Sequence, residues 1–196
     1  MKITRVLTLA LVALACAAPL VAADPPQMDE KAMMEAMAKI AAPGANHKKL
    51  DAFVGQWDTK ITMWMAPGAP PSTSTGKSTN SWAMGGRYLE QRFEGSFMEQ
   101  PFTGLGFTGY DNVTKKWWGT WMDSMSTGIM MSEGTMEGDG TWTFNARSAD
   151  PMSGQMMDVK EKISIKDADH HTMEMWMPGA DGKMFLSMVI DYARAK

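Results

Sequence analysis

Two stretches of the chain carry nearly the same residues, TMWMAPGAP at 62–70 and EMWMPGADG at 174–182. Each sets two methionines around a tryptophan, Met63 and Met65 around Trp64, Met175 and Met177 around Trp176, and then breaks on proline and glycine. Thioethers offer two chemistries. A flexible, polarizable side chain suits a surface that accepts varied apolar molecules, and as a soft ligand it binds Cu(I). Residues two apart on a strand lie roughly 7 Å apart along it and share a face. Met63, Met65, Met175 and Met177, with Met184 shortly after, could therefore converge if their strands are neighbours. A third reading is that methionine only fills a core.

Catalytic constellations are harder to assemble. Serine, histidine and aspartate are all present, but no nucleophile elbow, HExxH, GxGxxG or phosphate-binding loop occurs. His170 and His171, beside Asp167 and Asp169, read as a solvated hairpin tip or at most an adventitious divalent site. Glu90 and Glu94 alternate with Arg92, which suits a solvent face. Asp123 is the one acid expected near the methionines. The chain is not expected to be an enzyme and no cofactor is expected.

Composition narrows the rest. The formal charge is −3, with both signs interspersed and no Lys/Arg cluster, which argues against nucleic acid or an anionic membrane surface as partner. The N-terminus, MKITRVLTLALVALACAAPLVAAD, has Lys2 and Arg5, an apolar run and small residues ending at Ala23. That is the layout of a cleavable signal peptide over 1–23, too short to span a bilayer. The expectation is export to the periplasm or beyond, with a mature N-terminus at Asp24. Cys16, the only cysteine, lies inside the leader, so the mature chain would have no disulfide and no thiolate ligand. No other stretch approaches transmembrane length.

The elements that must position the methionines follow from periodicity. Residues 24–53 read as a linker, a helix over 29–42 capped by Asp29, and a short turn in which Leu50 and Phe53 face one way. From Val54 the pattern has period two, with Trp57, Ile61, Met63 and Met65 on one face. Further strands are predicted at about 73–84, 86–98, 101–110, 117–124, 128–137, 141–149, 155–166, 171–177 and 183–194. Short turns separate them, among them Gly85-Gly86, Asp111-Asn112 and Gly138-Asp139-Gly140. Ten strands joined by short links form an antiparallel meander over 54–196. Closing it into an up-and-down barrel removes its exposed edges.

Alternation then assigns ends. Met63, Met65, Met98, Met122, Met125, Met130, Met131, Met152, Met156, Met157, Met175, Met177 and Met184 fall at the upper end, while polar turns crowd the lower end above a stopper of Leu50 and Phe53. Trp121 should join the upper lining. Trp64 and Trp176 take the opposite parity and are expected to cover the outer wall.

The run FVGQW places Gly55-Gln56-Trp57 at the start of the first strand, and Arg194 stands near the end of the last. This is similar to the Gly-x-Trp signature of lipocalin-like (calycin) barrels, in which an arginine stacks over the tryptophan. With GLGFTGYDNVTKKW, TGIMMSEGT and HHTMEMWMPGADGK, the chain resembles the bacterial domain-of-unknown-function family DUF1579 over about 46–194. That resemblance implies the barrel and carries no established activity. A ten-strand calycin barrel also resembles the nitrobindin group, which holds ferric haem through a barrel histidine. His47 precedes the barrel here and His170 and His171 are read into a turn, so no such ligand is expected.

The sequence thus predicts a secreted or periplasmic, monomeric or weakly dimeric binding protein. Its small apolar ligand would sit at a mouth lined by Met63, Met65, Trp121, Met122, Met130, Met175, Met177 and Met184. A Cu(I) protein using Met63, Met65, Met175, Met177 and Met184 is the alternative. An envelope interaction protein with a filled barrel and a docking helix is another.

Overall fold

The computed structural model describes residues 29–138 and 140–196. The predicted leader, Cys16 and the 24–27 linker lie outside the described residues. Helix α1 (Glu30–Ala41) starts where Asp29 accepts a 2.7 Å hydrogen bond from the Ala32 amide, a side-chain cap for a free helical N–H. It buries none of its residues, and Met33, Met34, Met37 and Ile40 stay exposed. Asn112 holds its end by donating to the carbonyls of Ile40 and Ala42 at 2.9 and 2.8 Å. A single turn, α2 (Ala45–Lys48), and a 3-10 segment, η1 (Lys49–Phe53), then carry Leu50 and Phe53 inward. Leu50 keeps only 1% of its surface.

Ten strands follow, and every link between them is short. They are β1 (Gly55–Met63), β2 (Ser72–Ala83), β3 (Tyr88–Phe97), β4 (Gln100–Tyr110), β5 (Trp117–Asp123), β6 (Met130–Glu137), β7 (Thr141–Ala149), β8 (Met156–Ile165), β9 (His170–Pro178) and β10 (Met184–Arg194). Each pairs antiparallel with its sequence neighbours, and β1 pairs with β10 to close the barrel. The closing register sets Trp57 opposite Arg194, Thr59 opposite Tyr192, Ile61 opposite Ile190 and Met63 opposite Met188. No described helix is long and apolar enough to cross a membrane.

Three expectations about the methionines are corrected by the backbone. β1 ends at Met63, so Met65 leaves the strand and is 72% exposed. The β9–β10 ladder has a bulge between Leu186 and Met188, and an extra residue in one strand shifts the facing of all that lies beyond it. Phe185 therefore opposes Met177, while Met184 opposes Pro178 and is 44% exposed. Met122 follows inward-facing Trp121 on a regular strand and takes the outer side.

Candidate functional site

The barrel interior divides into two parts. At the lower end Leu50, Phe53, Leu89, Trp117, Trp142 and Phe144 form one buried cluster. Beside them the Arg194 guanidinium lies 4.2 Å from the Trp57 ring centroid, a cation–π stack. The same guanidinium donates to the carbonyls of Val54, Ala52 and Ala168 and to the Asp169 carboxylate. Trp57 donates its indole N–H to the Phe53 carbonyl at 2.8 Å, which ties the stopper to the wall. Gly55 is required here: its φ is +129°, and a Cβ would stand 2.6 Å from an Arg194 nitrogen.

His171 belongs to this floor, contrary to the hairpin tip read from the sequence. β9 begins at His170, so His170 points out onto Asp167 at 2.8 Å and His171 points in. Its ring stacks on Tyr192 at 4.2 Å and meets the edges of Trp57 and Phe53 at 4.3 and 5.0 Å. Burial and the Arg194 charge lower its pKa to about 3, so the imidazole is neutral. Its Nδ1 has no hydrogen-bond partner among the described residues. These rings occupy the space a macrocycle would need beside the imidazole. The haem implied by the nitrobindin resemblance therefore does not fit at this histidine, and no chemistry is derived from it.

A polar chain climbs from the floor. Asn80 donates to the Phe53 carbonyl and accepts from Ser78, and Gln91 reaches both the Ser78 and Tyr192 hydroxyls at 3.0 and 3.4 Å. Burial pushes the Tyr192 hydroxyl up to about 12, with the Glu161 charge adding to the rise and the Gln91 bond opposing it. Tyr192 is thus a neutral donor and acceptor in the barrel wall.

Above this chain the lining turns apolar and loosens. Met63, Phe102, Trp121, Met173 and Met188 pack against Ile61, Phe93 and Ile190, yet each is only partly buried. Met130, Met175 and Met177 are likewise inward by register and partly accessible. Glycine explains how large rings fit. Gly104 and Gly106 sit under Trp121, and a Cβ on Gly104 would collide with its indole, so the ring lies flat on bare backbone. Trp121 donates to Asp123 at 3.0 Å, which fixes the ring and occupies that rim acid.

The structure therefore brings together Met63, Trp121, Met130, Met175 and Met177 of the expected lining, and leaves Met65, Met122 and Met184 outside it. Sequence reasoning missed Met173, Met188 and Phe102. It also missed Glu161, the acid that faces inward from β8 between Met175 and Phe144. Met63, Met188 and Met175 are lateral partners across β1, β10 and β9, a continuous row of thioethers. Trp176 lies outside, under the Lys160 ammonium at 5.9 Å, as parity predicts. A depression of about 420 Å³ over β1, β9 and β10 exposes Asp58, Lys60, Lys166, His170 and Asp191 and contains no methionine.

Fold and site together define a closed ten-strand antiparallel barrel with a packed floor and a partly accessible, Met- and aromatic-lined upper lumen. The chain belongs to the family described as protein of unknown function (DUF1579), whose model matches residues 42–194. Several solved structures are similar to it. Rv2717c from M. tuberculosis is 12% identical, with 79% of this chain and 100% of that one covered and a TM-score of 0.56. The S-type phycobiliprotein lyase CPES from Guillardia theta is 15% identical, with 81% and 97% covered and a TM-score of 0.53. At these identities the likeness concerns the fold. No curated protein matches the sequence.

Proposed function

We propose that this chain is an exported binding protein that holds one small, largely apolar molecule in the upper half of the barrel. One observation carries the reading: Met63, Phe102, Trp121, Met173, Met175 and Met188 face inward by register and are still partly accessible. A barrel filled by its own side chains would bury them. Barrels of this size can hold one small ligand among apolar walls with a few polar groups. The similar phycobiliprotein lyase supports the choice of barrel, and the lining supports the choice of ligand class. Export rests on the leader pattern of residues 1–23.

Titrating the chain from Asp24 onward with an environment-sensitive apolar probe should give saturable one-to-one emission. Replacing Met175 and Met177 by Leu should preserve that binding, because volume and apolarity are kept. Copper is the second reading, favoured by the Met63–Met188–Met175 row. Under it the protein binds Cu(I) stoichiometrically against a chelator, and Met63→Leu, Met175→Leu and Met188→Leu together abolish the binding. Protein that takes up neither copper nor probe contradicts both readings.

A further inference from the structure

Strand β8 reads Val159, Glu161, Ile163, Ile165 on its inner face and Lys160, Lys162 on its outer face. One carboxylic acid therefore sits in an apolar row. Its lateral partners are Phe144 on β7 and Met175 on β9, and the row continues from Met175 through Met188 to Met63. Among the described residues Glu161 makes no hydrogen bond and no ion pair. The residue lies on the inner face and is only partly buried. Removing a carboxylate from water without a partner costs several kcal/mol, and a structural acid would be expected to satisfy a neighbour. This one satisfies none.

We propose that Glu161 is the anchor for the ligand's polar end, and that the ligand is an amphipathic molecule with an apolar body and a single basic nitrogen. This rests on the lumen-binding reading above and adds the ligand's charge to it. A divalent metal ion is a poor alternative, since such ions take several oxygen ligands and no group of three His, Cys, Asp or Glu is assembled among the described residues. An organic cation needs one carboxylate, and the thioethers of Met175, Met188 and Met63 along the same row supply polarizable surroundings.

The groups around Glu161 leave it in charge of this recognition. Tyr192 on β10 is neutral and held by Gln91 of β3. His171 on β9 is neutral and packed in the floor. Asp123 on β5 is tied to Trp121, and Arg194 to the floor carbonyls. Lys160 and Lys162 face away. Burial raises the Glu161 pKa to about 7, so ionisation and cation binding are coupled: a bound cation draws the proton off.

The test uses decylamine, decanol and decanoate below their micelle concentrations, titrated calorimetrically into the chain from Asp24 onward at pH 8. The amine should bind at least about tenfold more tightly than the alcohol, and decanoate most weakly. Lowering the pH through 7 should weaken amine binding and leave the alcohol unchanged. Glu161→Gln should bring amine and alcohol within about twofold of each other at unchanged alcohol affinity. If that variant does not fold, Glu161→Met, which matches neighbouring Met175, should give the same equalisation. The inference is overturned if the native chain binds amine no better than alcohol, if the amine preference survives both substitutions, or if the pH profile is flat. Should none of the three bind the native chain, the lumen reading falls and this inference with it.

Discussion

The floor and the mouth of this barrel are built on the same strands and obey different rules. At the floor, Trp57 keeps 2% of its surface and Trp142 also keeps 2%. Five bonds from one guanidinium, a stacked histidine and a 3-10 plug leave each side chain one position. At the mouth, the inward residues are unbranched methionines and rings lying on glycine, partly accessible and held by few polar contacts. The difference teaches where specificity of fold ends and adaptability begins. Rigid, hydrogen-bonded aromatics close the barrel, while thioethers with three rotatable bonds line the part that must accommodate something else.

If that contrast is right, substitutions should separate it by size of effect. Trp57→Ala removes a buried ring, the Arg194 stack and the bond to Phe53, and should cost about 3–5 kcal/mol in denaturant unfolding. A loss below 1.5 kcal/mol would erase the distinction between the two ends.

Next in size is a pH effect with opposed contributions. His171 has its pKa lowered from 6.5 to about 3, so the stability it contributes is present above 6.5 and lost as pH falls toward 3. Glu161 has its pKa raised from 4.5 to about 7, so its contribution is present below 4.5 and lost as pH rises to 7. Between pH 4.5 and 6.5 the two slopes cancel in the native chain. Glu161→Gln should uncover the histidine slope, about 2 kcal/mol less stable at pH 4.5 than at 6.5, measured by urea unfolding at both values. The low pKa values of Asp111, Asp150 and Asp167, caused by hydrogen bonds to their carboxylates, act below that window.

Arg194→Ala should cost about 1–2 kcal/mol through lost stacking and orphaned carbonyls. Its partner Asp169 is largely exposed, and Asp169→Ala should cost less than about 1 kcal/mol. Met63→Leu with Met188→Leu keeps volume and apolarity and should change stability by less than about 1.5 kcal/mol. A larger loss would place those methionines with the floor.

Much of this was legible in the sequence because the physics is local. Period-two alternation and turn residues marked ten strands, short links and the cost of exposed edges pointed to closure, and Gly55, Trp57 and Arg194 added a resemblance to calycin barrels. Methionine facing was legible at Met63 and Met175, failed at Met65 and Met184 where the strand ends or bulges, and failed at Met122, which was placed in the lining beside Trp121 although adjacent residues of a regular strand take opposite faces. Nothing in MFLSMVI announces the bulge that turns Met184 outward. His171 was lost because Asp167 and Asp169 have turn chemistry, although the strand resumes one residue before it. Glu161 had a readable signal, an acid in step with Val159, Ile163 and Ile165. Its lysine neighbours made it look solvated.

The most direct test of the central claim is to fill the lumen. Met175 faces inward beside Met188 and Glu161, so Met175→Trp places a bulky ring across the upper half while leaving the floor untouched. Binding of the environment-sensitive apolar probe would then be followed alongside the melting curve. The account predicts a folded protein in which probe binding falls at least about tenfold. A folded variant that binds the probe as the native chain does would place the ligand outside the barrel and contradict it.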